Sequence, residues 1–376
     1  MGNLENIIIG WRSALMFAVC LPIVIIAIML MLRSVETTAN RCLAGFLLIA
    51  VIAQIPQVIG FAGFYTVWPG LTFAPFSVEW YAGPLLYLHA HSLMKGSPFG
   101  WRLWLLLPGI LQTAYYTSAF TMLGDYRAKW DYTEAFHLPY IDPVETAVAL
   151  GLMAFAIWRI FQMNRVYRVF LENTQSAAEF RPTWLPRLLL AIVVAGVLLA
   201  VLELMPLLLD NVSFIDVYPP QILLTAVVAW LGFQALVQTT TAFPKMSGQE
   251  SAADGRLPSA PAEVRDWVSE GDRIAAAARE GRWYLESRLS IKEVASRLAT
   301  NETYVSRALN RGLKVSFNRF VNDLRVAHAQ GLILEGSGSL LDIANASGFN
   351  SKATFNRVFR ELAGQTPSQF KRSQKP

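Results

Sequence analysis

Four residues near the C-terminus, Lys352, Asn356, Arg357 and Arg360, fall on one side of a helical wheel. Phe355, Val358, Phe359 and Leu362 fall on the other. The polar side is suited to planar hydrogen-bonding edges. A guanidinium can make two parallel bonds to guanine and a carboxamide can do the same to adenine. The same groups on phosphate would position a duplex without reading it. A comparable set stands upstream: Thr303, Ser306, Arg307 and Arg311. We take these eight as candidate DNA-contacting residues.

Such side chains need rigid elements to present them, and the sequence supplies the same element twice. "SIKEVASRLATNETYVSRALNRGLKVSFNRF" begins at Ser290 and "SLLDIANASGFNSKATFNRVFRELAGQTPSQF" at Ser339. Each opens with a capping box, Ser290 with Glu293 and Ser339 with Asp342. Each follows with an apolar residue and an alanine, Val294-Ala295 and Ile343-Ala344, small enough for a second helix to cross closely. Each then carries an apolar-x-Arg centre, Val305-Ser306-Arg307 and Phe355-Asn356-Arg357. Helix-ending positions follow at Lys314 and Gly364, then Phe320 and Phe370. A repeat this regular predicts two helix-turn-helix units, about 289–313 and 339–364. "FNRFVNDLRVAHAQGLIL" joins them as a rigid helical spacer, and Gly336 and Gly338 break the chain after it. His328 on that spacer is expected to be a solvated helix residue.

Charge agrees with this placement. Up to Phe243 there are 12 Lys/Arg against 13 Asp/Glu, from Pro244 to Arg279 5 against 6, and from Glu280 onward 15 against 8. The formal net charge of +5 therefore comes from the C-terminal part. A basic end implies nucleic acid or anionic lipid as partner. Residues 244–262, "PKMSGQESAADGRLPSAPA", read as a solvated linker, with a helix following from about Glu263 to Arg279.

Residues 1–243 are of another kind. The chain is 54% hydrophobic and only 16% charged, too apolar for an ordinary soluble protein. Seven spans are expected, at about 7–32, 42–66, 74–94, 102–122, 143–163, 187–209 and 218–239. With the N-terminus outside, the inner loops hold Arg33, Arg41, Lys95, Arg102, Arg159, Arg165, Arg168, Arg181 and Arg187, against Arg127 and Lys129 outside. This bias places the C-terminus in the cytoplasm. The fold class expected is all-α, a seven-helix transmembrane bundle followed by a cytoplasmic double helix-turn-helix domain.

Ionisable groups within spans are costly and mark candidate sites. Glu79, Glu145 and Glu203 fall in the outer halves of their spans, with Gln57, Tyr115 and Tyr116 at similar depth. Together they form a candidate ligand site open to the outside. The alternative for Glu79 and Glu145 is a helix-end carboxylate facing headgroups and water. Trp68, Trp80, Tyr81, Trp130 and Tyr140 read as interface anchors.

Cys20 and Cys42 form no disulfide framework or zinc-type spacing, and four histidines are too few for a metal cluster. Neither a metal nor a cofactor is expected. No lysine lies within a span, and there is no Ser/His/Asp set and no H-E-x-x-H, so an enzyme is not expected.

The last hundred or so residues resemble the DNA-binding domain of the AraC/XylS family of bacterial transcription regulators. The resemblance rests on Ile343-Ala344, Gly348-Phe349, Phe355-Asn356-Arg357, Phe359, Gly364, Pro367 and Phe370. Some members are similar in whole layout, with a seven-span domain ahead of the reader, and "GPLLYLHAHSL" from Gly83 is similar to what they carry. Lys314 departs from the glycine usual at the first helix end, and Lys371 stands where arginine is frequent. The resemblance implies that Thr303, Ser306 and Arg307 form one reader and Lys352, Asn356 and Arg357 the other. RNA polymerase is the partner the resemblance adds; promoter DNA follows from the paired readers, a lipid bilayer and a small-molecule or membrane signal from the apolar spans, and a second copy of the chain from the flexible linker. The location implied is the bacterial inner membrane. A transporter or channel with a regulatory DNA-binding tail is the alternative, and lipid binding by the basic end a third reading.

Overall fold

The computed structural model describes residues 7–96, 99–176, 215–238, 243–246, 266–336 and 338–373, with scattered positions between 190 and 205. The regular elements among the described residues are helices, with one isolated antiparallel bridge between Gln175 and Ser290. The chain divides into two units, Met1–Asn164 with Thr183–Ser247, and Arg165–Pro182 with Gly248–Pro376.

In the first unit, helices Trp11–Met31, Thr37–Ile52 and Tyr218–Gln238 pack through small residues. A Cβ at Gly232 would sit 3.0 Å from Leu47 and 3.1 Å from Ile26. Close helix approach through glycine is how apolar helices associate when no water drives them together. At Gly83 a Cβ would meet the Leu152 carbonyl at 2.6 Å, so helix Ala82–Lys95 crosses helix Asp142–Thr174 backbone to backbone. The outward faces are apolar too: Phe17, Ile25 and Ile28 on the first helix, and Phe155, Trp158 and Phe161 on Asp142–Thr174 are exposed.

Among the described residues four helices are long and apolar enough to cross a membrane: Trp11–Met31, Thr37–Phe61, Tyr126–Thr174 and Tyr218–Val237. The seven-span expectation is thus met only in part. The stretch expected at 74–94 forms a 3-10 turn, Glu79–Tyr81, and a 14-residue helix, Ala82–Lys95. Fourteen residues of α-helix rise about 21 Å, short of about 30 Å of hydrocarbon. The stretch expected at 102–122 opens as a 3-10 helix, Gly100–Leu106, before helix Leu107–Met122. Pro108 sits in the first turn of that helix, where its missing N–H costs nothing. The span expected at 187–209 lies mostly outside the described residues.

The second unit holds two helix pairs on separate cores. Ile291–Arg297 and Glu302–Arg307 enclose Ile291, Val294, Ala295, Val305, Leu309 and Phe317. Leu340–Ala346 and Lys352–Ala363 enclose Ile343, Ala344, Phe349, Phe355, Val358 and Phe359. Both capping boxes form as the spacing predicts, each with reciprocal bonds between its serine and its acidic partner. The spacer is one 18-residue helix, Phe317–Leu334, contributing Phe320 and Val321 to one core and Val326, Ala329 and Ile333 to the other. The helix expected from Glu263 is described from Trp267 to Glu280 and lies against the first pair. There Gly271 and Gly312 allow contact closer than a side chain would permit.

Candidate functional site

Helix Lys352–Ala363 is capped by Ser351, whose hydroxyl accepts the Thr354 N–H at 3.2 Å, and ends at Gly364 with φ 73°. Phe355 and Phe359 are fully buried, each contributing about 2–3 kcal/mol of apolar burial. Burial of that face fixes the rotation of the helix and turns Lys352, Arg357 and Arg360 outward, with Asn356 half-exposed beside them. The polar face is therefore the one the spacing predicts. Arg357 donates from Nη1 to Glu361 Oε2 at 3.1 Å. An exposed pair of this kind is worth about 0.5 kcal/mol, so exchange for a nucleic-acid partner costs little.

The first pair differs in its second half. Glu302–Arg307 is α-helical, Ala308–Leu313 continues as a π-helix, and Lys314 ends it in the left-handed region at φ 55°. The departure noted at Lys314 is thus a strained cap, costing about 1 kcal/mol relative to glycine. Arg311 is exposed, Thr303, Ser306 and Arg307 are half-buried, and Ser306 Oγ accepts from Asn310 at 3.1 Å.

A buried arginine that pattern reading missed joins the parts of this unit. Arg325 lies in register with Phe317, Val321, Ala329 and Ile333 on the buried stripe of the spacer. It donates to the carbonyls of Tyr284 and Glu286, both at 2.7 Å, and to Ser176 Oγ at 3.3 Å. Burial pushes its guanidinium down to about 10, which leaves it charged at neutral pH. Asn318 donates to the Gln175 and Ser176 carbonyls at 3.0 and 3.3 Å, and Ser176 N–H donates to Leu289 O at 3.1 Å. The chain around Ser176 is thereby tied to the reading unit. The signal available in sequence was an arginine at an apolar register position. His328 is not simply solvated: it is half-buried, with Nδ1 3.3 Å from Ser347 Oγ and its ring against Tyr284.

The first unit brings four of the six candidate ligand residues together. Tyr116 donates to Glu145 Oε2 at 2.7 Å, and Gln112 Nε2 donates to Glu79 Oε2 and Glu145 Oε1, each at 3.2 Å. Tyr115 hydroxyl lies 2.9 Å from His137 Nδ1. Gln112 and His137, not singled out from sequence, complete the cluster. Trp80, read as an interface anchor, is drawn in, donating from Nε1 to the Glu145 carbonyl at 3.0 Å. Gln57 is buried on helix Ile55–Phe61, and no hydrogen bond joins it to the cluster among the described residues. Glu203 lies outside the described residues. Histidine count gave no expectation of a metal site, yet His137, Asp142 and Glu145 place one donor atom each within 4.8 Å of one another.

Comparison with known proteins bears on the second unit. Residues 294–373 match the family model of a helix-turn-helix domain. The chain is similar to an uncharacterised HTH-type transcriptional regulator of Staphylococcus aureus strain COL, 32% identical over 83 residues, 22% of this chain and 11% of that protein. It is also similar to the melibiose operon regulatory protein of Escherichia coli strain K12, 27% identical over 84 residues, 22% of this chain and 28% of that protein. The chain thus covers well under two thirds of these relatives, and no solved structure matches it. The C-terminal part of this chain carries a helix-turn-helix domain of the kind found in bacterial transcription regulators.

Proposed function

We propose that the chain is a membrane-embedded, one-component transcription regulator of AraC type. Its two helix pairs read promoter DNA from the cytoplasm, and the apolar unit receives a signal from outside or within the bilayer. The observation that carries the reading is helix Lys352–Ala363: one face is sealed into a core and the other presents Lys352, Asn356, Arg357 and Arg360. The match at 294–373 and the two named relatives support DNA-binding regulation. Four long apolar helices with apolar outward faces support a membrane location, and the lysine and arginine bias of the expected loops supports a C-terminus inside. In this reading the signal changes the pairing of two copies. Tethering two readers raises their effective concentration without any new contact to DNA.

Each side chain then has a role. Arg307, Asn356 and Arg357 contact base edges, and Thr303, Ser306 and Lys352 support them from the same faces. Arg311 and Arg360 contact phosphate. Arg357→Ala is expected to weaken promoter binding by about 1–3 kcal/mol and to relax preference at one base position. Titration of the full chain in nanodiscs against the promoter and single-base variants measures this. An equal loss on every sequence would make Arg357 a phosphate contact instead.

A further inference from the structure

The cluster around His137 has the chemistry of a small-cation site. His137 is buried at 7% exposure, on a π-helical turn, Thr133–Ile141, that leads directly into helix Asp142–Thr174. Its Nδ1 is engaged by the Tyr115 hydroxyl at 2.9 Å, which orients the ring. Its Nε2 points into the cluster, where the Tyr116 hydroxyl stands at 3.5 Å, the outer limit of a hydrogen bond, and Glu145 Oε2 at 4.0 Å. Asp142 supplies a second carboxylate, the three donor atoms lying within 4.8 Å. A shared ion with bonds of about 2.0–2.2 Å holds tetrahedral ligands roughly 3.4 Å apart. Side-chain shifts of up to about 1.4 Å therefore close the set.

The surroundings fit an ion better than an organic molecule. Phe73, Tyr115, Tyr116 and His137 already pack ring against ring, with Phe73 5.1 Å from the imidazole and 5.9 Å from Tyr116. Phe73 is held at φ 64°, in the left-handed backbone region that non-glycine residues seldom adopt. The imidazole carries an orienting partner on its far nitrogen, as metal-bound histidines do. Glu145 is oriented in the same way by Tyr116 and Gln112.

We propose that His137 Nε2, Asp142 and Glu145 bind a divalent first-row transition ion, with Zn²⁺ the best match to a mixed imidazole and carboxylate set. The ion is the signal, or part of it. That assignment rests on reading this cluster as the signal-receiving site.

The test uses Zn²⁺ itself on the full chain in nanodiscs, by calorimetry, with a promoter reporter run in parallel. Saturable binding of one Zn²⁺ per chain is expected, weakened at least tenfold by His137→Gln and by Glu145→Gln and unchanged by Glu134→Gln. Misfolding of either variant is met by a second measurement on the unmodified chain: Co²⁺ is expected to give visible absorption bands that Zn²⁺ abolishes. Absence of saturable binding, or equal affinity in His137→Gln, overturns the proposal. So does competition by millimolar Mg²⁺ or Ca²⁺ as strong as that by Zn²⁺. Zn²⁺ binding at these residues with no change in reporter output keeps the site but removes it as the signal input. No Zn²⁺ binding with an altered reporter in Glu145→Gln removes the metal and keeps the signal site.

Discussion

Under the proposed function, single residues in the second unit divide into those that make the reader and those that read. Arg325 belongs to the first kind. Its buried side chain holds the carbonyls of Tyr284 and Glu286, both at 2.7 Å. Arg325→Ala is expected to lower the stability of the unit by about 2–4 kcal/mol, through buried carbonyls left without donors and the space vacated. Thermal unfolding of the unit checks this. Asn356 and Arg357 are of the second kind, and exchanging them is expected to leave the melting temperature nearly unchanged. The polar faces were legible from helical spacing because Phe355, Val358, Phe359 and Leu362 leave only one orientation open. Arg325 was not, since residue type alone assigns an arginine to solvent. His137 and Gln112 were missed for a related reason: their partners lie on other elements, and neither stands in a repeat.

At the scale of elements, the two helix pairs share caps and register but not their helix ends. Gly364 ends the second reading helix in the left-handed region without strain, whereas Lys314 does so at φ 55° with a side chain. Lys314→Gly is expected to stabilise the first pair by up to about 1 kcal/mol, read as a rise in melting temperature. The departure was visible in the sequence; the π-helical turn that accompanies it, Ala308–Leu313, was not. Gly348 shows the reverse dependence. It sits at φ 80°, and a Cβ there would lie 2.7 Å from the Tyr284 carbonyl. Among the apolar helices, composition showed where the chain turns hydrophobic but not how each helix begins. The 3-10 turns Glu79–Tyr81 and Gly100–Leu106 arise where Pro84 and Pro108 limit the following α-helix. The cluster of Glu79, Gln112, Tyr116 and Glu145 forms beside the first of them.

For the whole molecule, the basic unit and the apolar unit suit different solvents, and each keeps its own core. The reading unit takes in residues 165–182 as well as 248–376. The stretch at Gln175 and Ser176 that Asn318 and Arg325 hold therefore lies far upstream in sequence of the helix pairs it supports. Of the linker expected at 244–262 only residues 244–246 are described, and there Met246 is buried with its N–H donating to the Met94 carbonyl. The central claim concerns both pairs at once: two reading helices engage successive major grooves on one side of promoter DNA. Chemical interference mapping of the full chain on its promoter tests this most directly. The account predicts two protected base clusters about 10–10.5 base pairs apart on one face, with the cluster assigned to the second pair lost in Arg357→Ala and the other lost in Arg307→Ala. A single protected cluster, or loss of both clusters together with no positional difference between the two variants, would contradict it.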